Sequence, residues 1–165
     1  MSDQSLLSAN DARALQQLGL RYARAIDRRD GDLLVSLFTN NGSIGSADTD
    51  QPAYKGHVDL RRMLKQVDRS FGPTMHGLSN QLFEQAEESD HASGETYCDA
   101  QHIVVQKDGS WLLLRMAVRY LDHYRKEDGI WRIARRRIKV EWVGTSQVGP
   151  FNRDLSALTA FDMTT

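Results

Sequence analysis

The chain has 165 residues, with 21 Lys and Arg against 22 Asp and Glu, so its formal net charge is −1 at pH 7. A chain of this size can bury a core as one domain, and the near balance of charge gives no reason to expect nucleic acid as a partner. The single cysteine, Cys98, excludes an internal disulfide framework. No signal-peptide pattern and no membrane-spanning apolar run is present, so we expect a cytoplasmic protein without a membrane partner.

Helical periodicity covers the N-terminal part of the chain. Ser8 or Asn10 can cap a first helix over about residues 10–29, and a short second helix is predicted over residues 33–38. Asn-Asn-Gly at residues 40–42 indicates a turn, and residues 43–46 fit a short strand. A third helix is predicted over about residues 57–70. Its predicted inward positions are Val58, Leu60, Met63, Leu64 and Val67.

From Thr74 onward the pattern changes from helical to alternating. Four long strands joined by short hairpin turns are predicted over about residues 75–86, 92–106, 110–126 and 130–143. Helices followed by an antiparallel meander indicate an α+β fold with the helices on one face of the sheet. We expect one domain over residues 1–150, followed by a C-terminal tail over residues 151–165 that is a candidate inter-subunit arm.

The end of the first helix carries a carboxylate beside an apolar stripe formed by Leu15, Leu18, Tyr22 and Ile26. Asp27 lies on the margin of this stripe and needs a partner there, because an unpaired buried charge is unfavourable. We interpret His76 as that partner, because histidine side chains as a class can take part in proton transfer under physiological conditions. The alternatives are an Asp27 paired with a neighbouring arginine and a His76 bonded to backbone.

Three motifs together resemble the SnoaL-like branch of the nuclear-transport-factor-2-like superfamily. The first is a Tyr-x₄-Asp at residues 22–27 followed by Gly-Asp, and the second is Thr-Met-His-Gly-Leu-Ser-Asn at residues 74–80. The third is Tyr-x-Asp-x-Tyr at residues 120–124 followed by Trp-Arg-Ile-Ala-Arg-Arg at residues 131–136. The branch includes bile acid 7α-dehydratase, scytalone dehydratase and hexachlorocyclohexane dehydrochlorinase, and the resemblance covers roughly residues 8–143.

This resemblance implies a cone-shaped α+β barrel, in which the N-terminal helices pack in the concave face of a curved antiparallel sheet around an apolar pocket. In the eliminating members, a histidine on the first long strand is the base and an aspartate on the first helix orients it; the matching residues are His76 and Asp27. Similarity to the bile acid dehydratase adds Tyr22 and Asp99 to the site, and similarity to the dehydrochlorinase adds Arg136. The full residue set of scytalone dehydratase has no match here.

Several of these candidates have a second interpretation from the residues themselves. Tyr22 lies about 140° around an ideal helix from Asp27, so both reach one cavity only if the sheet wraps widely; Tyr22 is either core filler or a donor to substrate. Tyr97, Asp99 and Gln101 share one strand face, which is either a pocket wall or a solvated surface. In a desolvated pocket the pKa of Asp99 would rise, and it could protonate a leaving hydroxyl.

The sequence thus predicts a cofactor-independent dehydratase that removes a proton next to a carbonyl of a small apolar cyclic substrate, such as a hydroxysteroid or polyketide. Arg136 would hold an enolate or carboxylate, and the substrate-binding residues would be Tyr97, Gln101, Val118 and Tyr120. No metal or cofactor motif is found. The alternatives are a ketosteroid-type double-bond isomerase and a non-catalytic binding or assembly subunit like the small subunit of ring-hydroxylating dioxygenases. Because one sheet face needs a cover, we expect a homo-oligomer: the resembling dehydratases favour a trimer, and a dimer is the alternative.

Overall fold

The computed structural model of the protein describes residues 7–149, so the predicted arm at residues 151–165 lies outside the described residues. Two helices, two strands and a third helix form the first part of the chain, and four long strands follow. In chain order these elements are α1 (Ala9–Asp27), α2 (Gly31–Ser36), β1 (Phe38–Ser46), β2 (Tyr54–Lys55), α3 (Gly56–Ser70), β3 (Thr74–Gln85), β4 (His91–Val105), β5 (Trp111–Glu127) and β6 (Ile130–Val148).

The strands form one curved, unclosed sheet in the order β2-β1-β6-β5-β4-β3, with the helices packed against it. This arrangement confirms the predicted α+β class and the four long strands. The sheet is mixed, however, because β1 pairs with β6 in parallel while the long hairpins are antiparallel. A crossover through β2, α3 and the β3–β5 strands separates β1 from β6 in the chain, which allows the parallel pairing.

The turn predicted at residues 40–42 is wrong, because these residues continue β1. The register of β1 against β6 shifts between Phe38 and Ser43, so the Asn-Asn-Gly sequence forms an irregularity inside the strand. A Cβ at Gly42 would lie 2.8 Å from the Cβ of Phe38, which explains why a glycine is placed there. The local turn signal thus marks a bulged strand and not a chain reversal.

Helix α1 begins as predicted at a Ser8 cap, whose hydroxyl accepts a hydrogen bond from the backbone N–H of Asp11 at 3.1 Å. Its apolar stripe is buried, as predicted. In α3, Leu60, Met63 and Leu64 are buried, but the inward placement of Val58 is wrong because 82% of this residue is exposed. Val58 lies about 200° around the helix from Leu60, on the opposite side from the buried stripe.

A fully buried ion pair lies in the core between β5 and β6. Arg136 donates from Nε and Nη2 to the two carboxylate oxygens of Asp122, at 2.8 and 2.7 Å, and the Tyr124 hydroxyl donates to the same carboxylate at 2.8 Å. Both charged side chains have zero exposed area. Burial opposes the charged form of Arg136, but the Asp122 carboxylate outweighs it and raises the pKa of the guanidinium above its ordinary value.

We expect Asp122→Ala to lower the free energy of unfolding by about 3–5 kcal/mol, because it leaves the Arg136 charge buried without a counter-charge. Urea denaturation measures this loss. Asp32→Ala is the matched control, since it breaks the exposed Arg61–Asp32 pair, whose N–O distance is 2.6 Å, and should cost less than about 1 kcal/mol. Equal losses in the two variants would contradict the assigned role of the buried pair.

Candidate active site

The carboxylate of Asp27 joins the last residue of α1 to the first residues of β3. Its Oδ1 accepts hydrogen bonds from the Nδ1 of His76 at 2.7 Å and from the Thr74 hydroxyl at 2.9 Å. Its Oδ2 accepts from the backbone N–H of His76 at 3.0 Å. The two side chains that the sequence suggested as partners are therefore in direct contact, and the alternative of a His76 side chain bonded to backbone does not apply.

This contact determines which nitrogen of His76 is basic. Because the carboxylate of Asp27 accepts, Nδ1 carries the hydrogen, and Nε2 holds the lone pair of the neutral ring. The His76 side chain is 6% exposed and that of Asp27 is 23% exposed. The ring is thus held in one tautomer and one orientation while the carboxylate stays fully hydrogen-bonded.

Arg29 supports the Asp27 carboxylate indirectly, through the hydroxyl of Thr74. Arg29 adopts a positive φ of 57° just after the end of α1. Its Nη1 donates to the Ile26 carbonyl at 2.6 Å and to the Thr74 hydroxyl at 2.8 Å, and its Nη2 donates to the Gly72 carbonyl at 2.8 Å. A chain of hydrogen bonds therefore runs from Arg29 through Thr74 to Asp27, and it fixes the first residue of β3 against the end of α1.

His76 lines a small cavity of about 150 Å³ between the helices and the sheet. Most of the lining is apolar, and the predicted site residues Tyr22, Val118 and Tyr120 belong to it. The lining residues within residues 7–149 are Tyr22, Ile26, Met63, Val67, His76, Ala100, His102, Met116, Val118, Tyr120, Ile138 and Val140. The sheet therefore wraps widely enough around α1 for Tyr22 to reach the same cavity as the ring that Asp27 holds.

A second imidazole in this cavity, His102, was not among the predicted site residues. Its ring centroid lies 5.1 Å from that of His76 and 4.6 Å from that of Phe71. Burial, followed by the nearby His76 and Arg29, lowers the pKa of His102 from 6.5 to about 4. His102 is therefore neutral at neutral pH. His102 lies on the same face of β4 as Cys98 and Ala100, two residues further along, and it pairs with Thr74 of β3. This shared face and this pairing place it beside His76.

The predicted placement of Tyr97, Asp99 and Gln101 in the cavity is wrong, because these residues occupy the opposite face of β4. Asp99 accepts two hydrogen bonds at 2.8 Å from Arg115 and one at 3.0 Å from Gln101. The hydrogen bonds from Arg115 hold the pKa of Asp99 below its usual value, opposite to the predicted rise. Tyr97 lies under Arg119, with 5.0 Å between the guanidinium carbon and the ring centroid.

Arg136 points to the helix side of the sheet, but its predicted contact with a substrate carboxylate or enolate does not fit the structure. Its Nε and Nη2 are occupied by Asp122, and it is not part of the cavity lining. The guanidinium carbon lies 4.1 Å from the ring centroid of Tyr22 and 4.2 Å from that of Tyr120. Arg136 therefore supports these two lining residues, and its charge is neutralised by Asp122.

The fold and this site define a class: a domain of the nuclear-transport-factor-2-like superfamily, with helices packed against a curved sheet and a cavity between them. Within that class, the chain belongs to the family of the SnoaL-like domain, whose sequence profile matches residues 8–137. This membership confirms the resemblance found in the sequence. No curated protein matches the chain in sequence.

Solved structures with the same fold cover most of this chain. One is a Novosphingobium aromaticivorans protein provisionally named an aromatic ring hydroxylase, with 23% identity, a TM-score of 0.72, and coverage of 86% of this chain and 96% of that chain. A second protein from that organism, provisionally named a scytalone dehydratase, has 20% identity, a TM-score of 0.68, and coverage of 83% and 87%. Hexachlorocyclohexane dehydrochlorinase type 3 from Novosphingobium barchaimii has 17% identity, a TM-score of 0.69, and coverage of 85% and 91%. At these identities the similarity establishes the fold.

Within residues 7–149, no helix combines the length and the apolar character that crossing a bilayer requires.

We expect Thr74→Val to lower the free energy of unfolding by about 1–2 kcal/mol, because it removes the hydroxyl that links Arg29 to Asp27 while keeping the side-chain volume. Thr74→Ser, which retains the hydroxyl, should lose less. Urea denaturation of the two variants at neutral pH measures the difference. If serine and valine destabilise the protein equally, the hydroxyl does not support the Asp27 carboxylate.

His102 should make the protein lose stability on mild acidification. Because its pKa falls from 6.5 in its ordinary state to about 4 in the fold, the unfolded chain takes up a proton first as the pH drops. The contribution of His102 to the free energy of unfolding is therefore fully present above about pH 6.5 and is lost between pH 6.5 and 4, by about 3 kcal/mol in total.

His102→Gln is the control, since its side chain does not titrate. The difference between the unfolding free energies of the wild type and this variant, measured in urea from pH 7.5 to pH 4, should change across that window. A difference that stays constant with pH would show that His102 is not held neutral by burial.

Proposed function

We propose that this protein is an acid–base lyase, a dehydratase that needs no cofactor and acts on a small apolar cyclic ketone with a hydroxyl at the β-carbon. The observation that carries the proposal is the 2.7 Å contact between Asp27 and His76 at the wall of an apolar cavity. A basic imidazole nitrogen with a fixed tautomer in a largely apolar site is suited to proton abstraction at neutral pH.

In the first step, the Nε2 of His76 takes the proton from the carbon next to the carbonyl. The electrons of that C–H bond move to form an enolate, and the negative charge of Asp27 stabilises the imidazolium that results. In the second step, the enolate electrons form the carbon–carbon double bond and the bond to the β-hydroxyl breaks. The departing hydroxide takes the proton back from Nε2, so the products are a conjugated enone and water, and His76 returns to its neutral form.

Tyr22 is the proposed hydrogen-bond donor to the carbonyl oxygen. It lines the cavity with His76, and burial raises the pKa of its hydroxyl, so the group stays protonated at neutral pH. The hydroxyl of Tyr120 instead contacts the sulfur of Cys98 at 3.5 Å. A preorganised donor at the developing oxyanion stabilises the transition state more than the ground state.

Two neighbouring structures bear names that denote elimination chemistry: the dehydrochlorinase, and the protein provisionally named a scytalone dehydratase. Their similarity supports this class of reaction for a chain of the same fold. It does not define the substrate, since one fold carries many activities. The proposal therefore depends on the geometry of His76 and Asp27, with the neighbours as support for the reaction type.

The decisive assay incubates the protein with a panel of cyclic β-hydroxyketones of one to four rings and follows the ultraviolet absorbance of a conjugated enone. We expect His76→Gln to lower kcat/KM by a factor of about 10²–10⁴ for the compound that is turned over. His91→Gln is a matched control, because His91 also contacts an aspartate, Asp90, at 2.8 Å but is exposed. This control should retain wild-type activity.

Turnover that survives in His76→Gln would refute the assignment of the base. Ligand binding without turnover in the wild type would favour the alternative of a non-catalytic binding subunit. A shifted double bond without release of water would identify the isomerase alternative, which shares the first proton transfer. Product analysis by mass spectrometry separates these two reactions, because only dehydration lowers the mass by that of water.

A further inference from the structure

We propose that the His76 cavity selects an uncharged ligand of single-ring size, a six-membered cyclic ketone, over carboxylates of equal size and over fused-ring compounds such as steroids. This inference rests on the proposed function for the ketone group, whereas the size and charge limits come from the cavity itself. The sequence led us to expect a hydroxysteroid or polyketide as substrate, and this inference restricts the substrate to compounds with a single ring.

The volume of the cavity sets the size limit. The cavity offers about 150 Å³ to a ligand, and apolar protein cavities of about this volume hold a molecule such as benzene. Sites for larger, drug-sized ligands offer about 300–1,000 Å³. A single six-membered ring with one or two oxygen substituents therefore fits within this volume, whereas a four-ring steroid nucleus would have to extend out of it and leave much of its apolar surface unburied.

The walls of the cavity limit its expansion. Ala100, Val118 and Ile138 project from adjacent strands of one sheet, and hydrogen-bonded strands move apart only by breaking their ladder. Met63 of α3 and Met116 of β5 are flexible side chains that can adjust to the outline of a ring. Such adjustment changes the shape of the space by rotamer changes, but it does not create the length that fused rings need.

The charges around the cavity set the second limit. Within residues 7–149, the lining contains no Lys, Arg, Asp or Glu side chain. Arg136 packs behind Tyr22 and Tyr120 and does not line the cavity. Its charge is balanced by Asp122, which accepts from Nε and Nη2, while its Nη1 is buried without a hydrogen-bond partner among the described residues. The guanidinium of Arg29 is occupied by Thr74 and two backbone carbonyls. A carboxylate in the cavity would lose its hydration without gaining a free counter-charge, and the carboxylate of Asp27 would repel it.

The methionines of this protein provide a direct readout of occupancy. Among its five methionines, Met63 and Met116 line the cavity, whereas Met75 lies on the surface with 66% exposure. With methyl-¹³C-labelled methionine, the signals of Met63 and Met116 report ligand in the cavity, and that of Met75 serves as an internal control. The measurement requires no turnover.

The test titrates the labelled full-length protein with 2-cyclohexen-1-one, cyclohexanecarboxylate, 1-tetralone and androst-4-ene-3,17-dione at pH 7.5. We expect the first compound to shift the Met63 and Met116 signals saturably and with a Kd at least about tenfold lower than any of the other three. Val118→Phe should abolish these shifts by filling the cavity. A cooperative urea unfolding transition shows that the variant is folded; if that variant does not fold, Ala100→Val provides the same test.

Binding of the carboxylate or of the steroid as tightly as cyclohexenone, with shifts at Met63 and Met116, would overturn the inference. Shifts that persist in the filled variant would also overturn it, because the ligand would then lie elsewhere. The result of the binding titration can be distinguished from the result of the enone assay. Selective binding of the neutral ring without turnover of any β-hydroxyketone would refute the dehydratase proposal and leave the size and charge limits standing.

Discussion

The Asp27 carboxylate is the interaction on which both the fold around the cavity and the proposed chemistry depend. It accepts from the backbone N–H of His76, from the ring of His76 and from the hydroxyl of Thr74. Because β3 is an edge strand, the backbone N–H that meets Asp27 would otherwise be an open pairing site. One carboxylate thus closes part of the sheet edge, anchors α1 to it and sets the tautomer of the imidazole.

Much of this arrangement could be predicted from the sequence, because it depends on local patterns. The apolar spacing of Leu15, Leu18, Tyr22 and Ile26 predicted the buried face of α1, and the alternation after Thr74 predicted the four long strands. The contact between Asp27 and His76 followed from a carboxylate at the margin of an apolar stripe together with the family resemblance. Periodicity was sufficient for the helices and strands, whereas the Asp27–His76 pairing also needed the family resemblance.

The face of β4 that lines the cavity could not be predicted in the same way. Alternation showed that Tyr97, Asp99 and Gln101 share one face, but it does not tell which face is turned inward. On the polar face, Arg115 of β5 lies opposite Gln101 and donates a hydrogen bond to the diagonally placed carboxylate of Asp99. This pairing depends on the strand register, which a single sequence does not contain. The inner face consequently carries His102, which the sequence left undecided.

Bulges limited the prediction for β6. Ile133 pairs with Tyr124 and Arg135 pairs with His123, so Ala134 has no partner opposite it. Ile133 and Arg136 therefore both face inward although they are three residues apart. The bulge shifts the alternation of inward and outward side chains by one residue. The sequence indicated correctly that Arg136 faces away from its two arginine neighbours. The bidentate contact with Asp122 was missed because it depends on this shifted register.

The groups that surround the cavity favour a reaction in which a proton moves and no permanently charged group has to be accommodated. Burial raises the pKa values of Tyr22 and Tyr120, which keep their protons, and it lowers that of His102, which stays neutral. The Arg136 charge is balanced by Asp122. The remaining Asp27 charge lies behind the His76 ring, where it favours the imidazolium once a proton has arrived. A site with these properties is poorly suited to bind a ligand with a permanent negative charge, whereas the enolate of the proposed elimination would form together with its counter-charge, the imidazolium of His76.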